Sequence, residues 1–97
     1  MASASPVVDD AEIAIAIKYD KAKDNAPRVV AKGLRLKAEK IREIAKRKDI
    51  PVMKNVALAN ALFRVDVGQE VPEELYDAVA EVLNFVYALQ QEAKQKK

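Results

Sequence analysis

The segment Glu12–Tyr19 constrains the fold most, because isoleucine and alanine alternate through it before a lysine and a tyrosine follow. A period of two built from β-branched and small apolar residues is typical of a β-strand. Its isoleucine face is large and apolar, so it requires a cover that excludes water. Its alanine face carries no polar group either, and we expect another element to cover or closely approach it.

Two further strands are predicted downstream. Pro27 biases the residue before it towards extended geometry and introduces a strand over residues 28–31, which we expect Gly33 to end. A third strand is expected over residues 50–53. Pro51 should lie near its start or on a sheet edge, because proline cannot donate a hydrogen bond to a ladder.

Three helices are predicted from apolar residues that recur at spacings of three and four. The first covers residues 34–48, the second covers residues 56–63 with Asn55 as its N-cap, and the last begins at Pro72. The elements therefore follow the order strand, strand, helix, strand, helix, helix. This order predicts an α/β fold in which a small mixed β-sheet is flanked by helices.

A chain of 97 residues is long enough for one domain, which we place at residues 12–90. Residues 1–11 begin with small polar residues and are interpreted as a flexible N-terminal leader. The lysine-rich residues 91–97 are interpreted as a polar tail that frays. No apolar run in the sequence approaches the ~20 residues that cross a bilayer.

The residue inventory argues against an enzyme. The chain has no cysteine and no histidine, so thiolate nucleophiles, imidazole proton shuttles and the usual zinc ligands are all missing. Gly33 and Gly68 are isolated, so no phosphate-cradling loop is present. We therefore expect no metal, no cofactor and no small-molecule substrate.

The acidic stretch Asp9-Asp10-Ala11-Glu12 admits two interpretations. Its three carboxylates could bind a divalent cation through oxygen ligands. However, no spaced glycine and no further ligands accompany them. We favour a solvated entry to the following strand.

The predicted helix over residues 34–48 carries seven lysines and arginines against two glutamates. A basic face made by Arg35, Lys40, Arg42 and Lys46 could contact phosphates, which makes a small nucleic-acid-binding domain the alternative function. No aromatic residue is interleaved for base stacking, so a solvated helix face is favoured. The last helix opens with an acidic patch, and opposite patches on one small domain suit docking to a protein partner.

Six segments between Glu12 and Leu89 resemble, in the same order, the cytoplasmic domain of the FlhB and YscU-type proteins. These are export-switch proteins of flagellar and injectisome type III secretion. The resemblance implies a small sheet surrounded by helices, in agreement with the predicted order of elements. The segments are AIAIKYD, APRVVAKG, KIREIAKRKDIPV, LANALF, VGQEVPEELYDAVAEVL and FVYAL.

In that family an Asn-Pro-Thr-His turn joins the first strand pair, and the asparagine side chain attacks its own carbonyl so that the chain splits before the proline. Counted back from IAIKYD, the four places fall on Asp9, Asp10, Ala11 and Glu12, and none matches. An ionised carboxylate is a poor nucleophile for that cyclisation, so we expect no autocleavage. The strand before the turn is expected to be nearly absent, with only Pro6-Val7-Val8 remaining.

The resemblance also implies a docking site, a shallow apolar depression between the second strand and the last helix. The matching positions are Ala26, Pro27, Ala80 and Leu83, although Ala80 and Leu83 could equally be core residues of the helix. The implied partners are export substrates, the ruler protein that controls hook or needle length, and the membrane export gate. The implied location is the cytoplasmic face of the export apparatus at the inner membrane.

Two origins fit these features. The chain could be a free-standing FlhB-like homologue, equivalent to the fragment that cleavage releases in the family. It could instead be an engineered excerpt of a longer protein with an altered motif. We favour the free-standing homologue.

Overall fold

The computed structural model of the protein describes the backbone of residues 3–95 and the side chains of residues 5–92. Its strands and helices follow the predicted order, preceded by two short strands. A 3-10 turn over Glu73–Leu75 leads directly into the last helix. The elements are β1 (Ser3–Ala4), β2 (Val7–Asp9), β3 (Ile13–Asp20), β4 (Arg28–Leu34), α1 (Leu36–Arg47), β5 (Val52–Lys54), α2 (Val56–Phe63) and α3 (Tyr76–Gln95).

The strand β3 is the centre of a mixed sheet. It pairs antiparallel with β4 on one side and with β2 on the other, and β5 adds parallel to β2 at the far edge. The short β1 pairs with the last two residues of β3. Between β1 and β2, the pairing with β3 is continued by one hydrogen bond, which the Ile17 amide donates to the Pro6 carbonyl at 3.0 Å. The mixed sheet flanked by helices is therefore confirmed.

The two faces of β3 lie in two separate cores. Ile13, Ile15 and Ile17 are buried in the larger cluster, against residues of α2 and α3. Ala14 is buried in the smaller cluster, against Ala38 and the rest of the inner face of α1. Each buried isoleucine contributes about 1.5–3 kcal/mol, and alanine packed on alanine lets α1 approach the sheet closely. The cover on both faces that the alternation requires is thus present.

The junction between β4 and α1 differs from the prediction. Gly33 does not end the strand, which continues to Leu34, and α1 begins at Leu36. Arg35 makes the turn with a positive φ of 52° and donates its amide to the Glu12 carbonyl at 2.8 Å. The glycine is required by a close approach, because a Cβ there would lie 2.6 Å from the Cβ of Lys37.

The helix α2 matches the prediction at both ends. It covers Val56–Phe63, and the Asn55 side chain accepts a hydrogen bond from the Leu58 amide at 3.0 Å. This contact satisfies one of the free amides of the first turn. The edge strand β5 begins directly after Pro51 and ends directly before Asn55. This position agrees with the expectation that Pro51 lies near the start of a strand or on a sheet edge.

The expected flexible leader is wrong for the part of residues 1–11 that the structure describes. Val7 and Val8 are buried in β2, one in each core, and β1 pairs with β3, so the strand before the turn is present. Two valines are too short a run to establish a period of two. Residues 1 and 2 lie outside the described part of the chain.

The polar tail predicted for residues 91–97 begins within α3, because the described backbone of this helix continues to Gln95. Residues 96 and 97 lie outside that part. Within residues 3–95, no helix combines the length and the apolar content needed to span a bilayer.

Candidate docking site

The acidic residues before β3 form the turn of the β2–β3 hairpin. The Asp10 carboxylate accepts hydrogen bonds from the amides of Glu12 at 2.7 Å and Ile13 at 3.0 Å. The Asp10 amide donates to the Ile13 carbonyl at 3.0 Å, which closes the hairpin. An aspartate that binds the amides two and three residues ahead is a turn-forming device. The stretch is therefore a folded turn, and no cluster of possible metal ligands occurs among the described residues.

Asp9, the last residue of β2, is held from the other side of the sheet. The Arg42 Nη1 atom of α1 lies 3.4 Å from Asp9 Oδ2 and 3.3 Å from the Asp10 carbonyl oxygen. Burial raises the pKa of Asp9, and the nearby charges of Arg42 and Lys54 only partly oppose that effect. The contact therefore connects α1 to the turn. Its stabilising effect is reduced by the free energy needed to desolvate the Asp9 carboxylate.

The four residues of the predicted basic face divide into two groups around α1. At 100° per residue, Arg42 and Lys46 project about 40° apart, whereas Lys40 projects about 160° away from Arg42. Arg42 is half-buried and engaged with the turn, whereas Lys40, Lys46 and Arg35 are exposed. Arg42 is therefore already engaged on the side that it shares with Lys46, and Lys40 does not extend that side.

Three of the four predicted docking positions come together. Pro27 at the start of β4 and Ala80 and Leu83 of α3 line a surface cavity of about 210 Å³. Ala26 is buried beside them, with 2% of its surface exposed, and does not line the cavity. We call this feature the α3 cavity; its lining residues are Tyr19, Asn25, Pro27, Tyr76, Ala80 and Leu83.

One wall of the α3 cavity is a stripe of α3. Tyr76, Ala80 and Leu83 stand four and three residues apart, so their side chains lie along one side of the helix. Leu83 is 6% exposed and also belongs to the larger core, whereas Ala80 is exposed and does not. Leu83 is therefore a core residue that also lines the cavity, so the two interpretations considered for it do not exclude each other. The small side chain of Ala80 leaves the space that makes the hollow.

The opposite wall comes from the loop between β3 and β4. The Asp20 carboxylate accepts from the Ala22 amide at 3.0 Å, and the Asp24 carboxylate accepts from the Asp20 amide at 2.9 Å. These bonds fold the loop on itself, and Asn25 and Pro27 after it line the cavity.

The segment before α3 is fixed against β4. Val71 donates its amide to the Pro27 carbonyl at 2.8 Å, and Val29 donates to the Gln69 carbonyl at 3.0 Å. Gly68, with a φ of 94°, donates to the Val29 carbonyl at 2.7 Å. This pairing carries the chain from α2 to the start of α3 and positions Tyr76 opposite Pro27.

Tyr87 follows Leu83 by four residues on the same side of α3. The Lys21 Nζ atom lies 4.7 Å from the centre of its ring, within the range of a cation–π contact. Its hydroxyl is buried and has no hydrogen-bond partner among the described residues. Burial, with smaller effects from Tyr19 and Asp20, raises the pKa of this phenol.

The sequence did not predict a second, wider hollow of about 550 Å³ beside the β2–β3 turn. Leu34 and Val56, each about half exposed, form its apolar part, and Lys54 and Glu12 border it. Its residues come from the β2–β3 turn and from four elements, β3, β4, β5 and α2, and no local pattern in the sequence joins them. Its mixed lining does not indicate one ligand.

The described fold defines the class of the protein, an α/β domain with a mixed sheet flanked by helices. The chain is similar to the cytoplasmic domain of FlhB from Shewanella putrefaciens, with a TM-score of 0.89 and 39% identity, over 95% of this chain and 72% of that one. It is also similar to the EscU C-terminal domain with the N262D mutation, with a TM-score of 0.81 and 30% identity. That match covers 84% of this chain and 77% of the EscU domain.

The family described as "FlhB HrpN YscU SpaS Family" matches residues 3–86 of the chain, and the chain belongs to this family. It is 44% identical to the flagellar biosynthetic protein FlhB of Bacillus subtilis over 88% of this chain and 24% of that protein. It is 38% identical to the uncharacterized protein YlqH of the same organism over 87% of this chain and 90% of that protein. The chain thus spans about a quarter of the FlhB relative.

Proposed function

We propose that this chain is a substrate-docking and specificity-switch domain of flagellar or type III protein export. Membership in an export-protein family supports the general role. The observation that supports the docking role is the α3 cavity, which unites three positions matched to the family's docking site. A hollow with an apolar body and a few polar groups on its rim suits a short apolar segment of a partner.

The partners that we propose are early export substrates, the ruler protein and the membrane export gate. The place of action is the cytoplasmic face of the export apparatus.

We infer further that the domain does not cleave itself. The positions matched to the family's motif hold Asp9, Asp10, Ala11 and Glu12, and no histidine is present in the sequence. The Asp10 carboxylate is occupied by two backbone amides of the turn. The Asp9 side chain is a carboxylate and therefore lacks the amide nitrogen that the family's cyclisation requires.

The alternative of a nucleic-acid-binding domain is less well supported. A phosphate-binding surface needs several free cations on one side. Arg42 is engaged with the hairpin turn, and Lys40 projects away from it. We therefore retain protein docking as the function.

The docking proposal is tested with Ala80→Glu, which fills the α3 cavity with a charged side chain. We expect the variant to lose capture of a purified early flagellar substrate while its circular dichroism spectrum stays unchanged. Ala88→Glu is the matched control, because it makes the same change at an exposed position of the same helix outside the cavity. Equal capture by both variants would overturn the proposed site.

A further inference from the structure

The α3 cavity is bordered by carboxylates on its helix side. Asp77 follows Tyr76 directly and precedes Ala80 by three residues, so it lies on the adjacent strip of helix surface. Glu73 precedes Tyr76 by three residues in the 3-10 turn. Both carboxylates are exposed, and their spacing from Tyr76 and Ala80 puts them next to residues that line the cavity, although they do not line it themselves.

These carboxylates are not neutralised within the described part of the protein. The ion pairs there join Arg28 to Glu70 at 3.6 Å and Arg42 to Asp9 at 3.4 Å. Neither involves Glu73 or Asp77. The helix dipole favours acids in a first turn, but it leaves their outer surface negative towards an approaching ligand.

The loop on the other side of the cavity does not reverse this balance. Its two cations, Lys21 and Lys23, are matched by the carboxylates of Asp20 and Asp24. Lys21 is also drawn to the ring of Tyr87. The mouth of the cavity is therefore negative on balance, with the excess on α3.

The size of the cavity limits what enters it. About 210 Å³ is below the range of about 300–1,000 Å³ that holds a drug-sized ligand. It has room for one bulky apolar side chain, which would contact lining residues such as Tyr19 and Tyr76. The residues that precede and follow that side chain in the partner must then pass over the negative rim.

We propose that the α3 cavity selects segments in which one bulky apolar residue is flanked by lysine or arginine. This inference rests on the proposed docking function and specifies its ligand. The apolar side chain supplies the contact area, and the flanking cations meet Glu73 and Asp77. Segments flanked by acids are repelled by the same two residues.

The experiment uses three fluorescein-labelled peptides of nine residues, each made of serine and glycine around a central phenylalanine. Two lysines, two serines or two glutamates flank the phenylalanine. Fluorescence anisotropy in about 20 mM salt should rank the affinities lysine, serine, glutamate, with about three- to ten-fold between the extremes. At ~1 M salt, where the Debye length is about 3 Å, the three affinities should converge.

Asp77→Lys should remove or invert this ranking. Asp77→Asn removes the charge without reversing it and should weaken the ranking, so it provides the test if Asp77→Lys disturbs the fold. Glu43→Lys is the control, since it makes the same charge reversal at an exposed position of α1, on the other face of the sheet. Equal affinity for the three peptides at low salt would overturn the charge selection but leave docking intact. Absence of binding by all three would contradict both proposals.

Discussion

The ammonium group of Lys32 in β4 lies at the C-terminal end of α2, where its Nζ atom donates to the Phe63 carbonyl at 2.8 Å. The same group donates to the Val65 carbonyl at 3.1 Å and lies 4.9 Å from the centre of the Phe63 ring. The last carbonyls of a helix have no partner within it and attract a cation. One side chain thus joins the edge of the sheet to the helix that covers it.

The first prediction concerns this connection. Lys32→Met keeps the length of the side chain but leaves the two carbonyls without their charged donor, and we expect the free energy of unfolding to fall by about 1.5–3 kcal/mol. Urea unfolding followed by circular dichroism measures the change. Lys46→Met is the control, because Lys46 is exposed on α1, and it should change stability by less than about 0.5 kcal/mol. A similar loss in both variants would contradict the structural role.

The second prediction is a pH dependence that originates at Asp9. Because burial raises its pKa in the folded state above the ordinary value of 3.8, the folded chain holds this proton more tightly than the unfolded chain. The contribution of Asp9 to stability is therefore fully present below pH 3.8 and is lost as the pH rises through the raised pKa.

Asp9→Asn should remove this dependence and leave the protein at least as stable as the wild type at pH 7. Urea unfolding of both proteins between pH 3 and pH 7 measures the difference. Glu12→Gln, at an exposed neighbouring carboxylate, serves as the control. If Asp9→Asn instead destabilised the protein most at neutral pH, the attraction of Arg42 would outweigh desolvation and the assignment would be wrong.

The third prediction concerns the close approach at Gly33. An added Cβ would meet the Lys37 Cβ at 2.6 Å and the Lys37 backbone carbon at 3.0 Å, so α1 must move away from the strand. We expect Gly33→Ala to lower the free energy of unfolding by about 1–3 kcal/mol, as overpacked sites do. Thermal unfolding measures it. A neutral or stabilising outcome would show that the junction has more room than the structure gives it.

The fourth prediction is an intact chain. Without the family's motif, the hairpin between β2 and β3 should remain a single covalent segment after purification. Intact-mass spectrometry of the protein, kept for several days at neutral pH, should show one species at the full-length mass. Two fragments that meet near Asp9 would show that the turn is reactive after all.

Much of the fold could be predicted because its signals are local. The alternation in β3, the Asn55 cap and the start of the last helix near Pro72 each depend on a few adjacent residues, and the structure confirms them. β2 was indicated only by the resemblance, as the remnant Pro6-Val7-Val8, because two valines are too few to show a period; their burial in two cores is seen only in the structure. The Gly33 contact depends on the packing of a helix that comes later in the chain.

The candidate site was predictable only in part, and by resemblance to a family instead of by local signals. Pro27, Ala80 and Leu83 were indicated by family resemblance, and the structure brings them to one cavity. Tyr19 and Tyr76 were not among the predicted docking positions, yet both line it. A signal for Tyr76 was available, since it stands one helical turn before Ala80. No such signal exists for Tyr19, which reaches the cavity only through the pairing of β3 with β4.

The most direct test of the account is the site at which a partner segment contacts the domain. Isotope-labelled protein would be titrated with the lysine-flanked phenylalanine peptide, and backbone amide shifts would be followed by NMR. The account predicts that the largest changes fall on residues 25–27 and 76–83, the two walls of the α3 cavity. Changes concentrated on residues 36–47 of α1, or an unchanged spectrum at millimolar peptide, would contradict it.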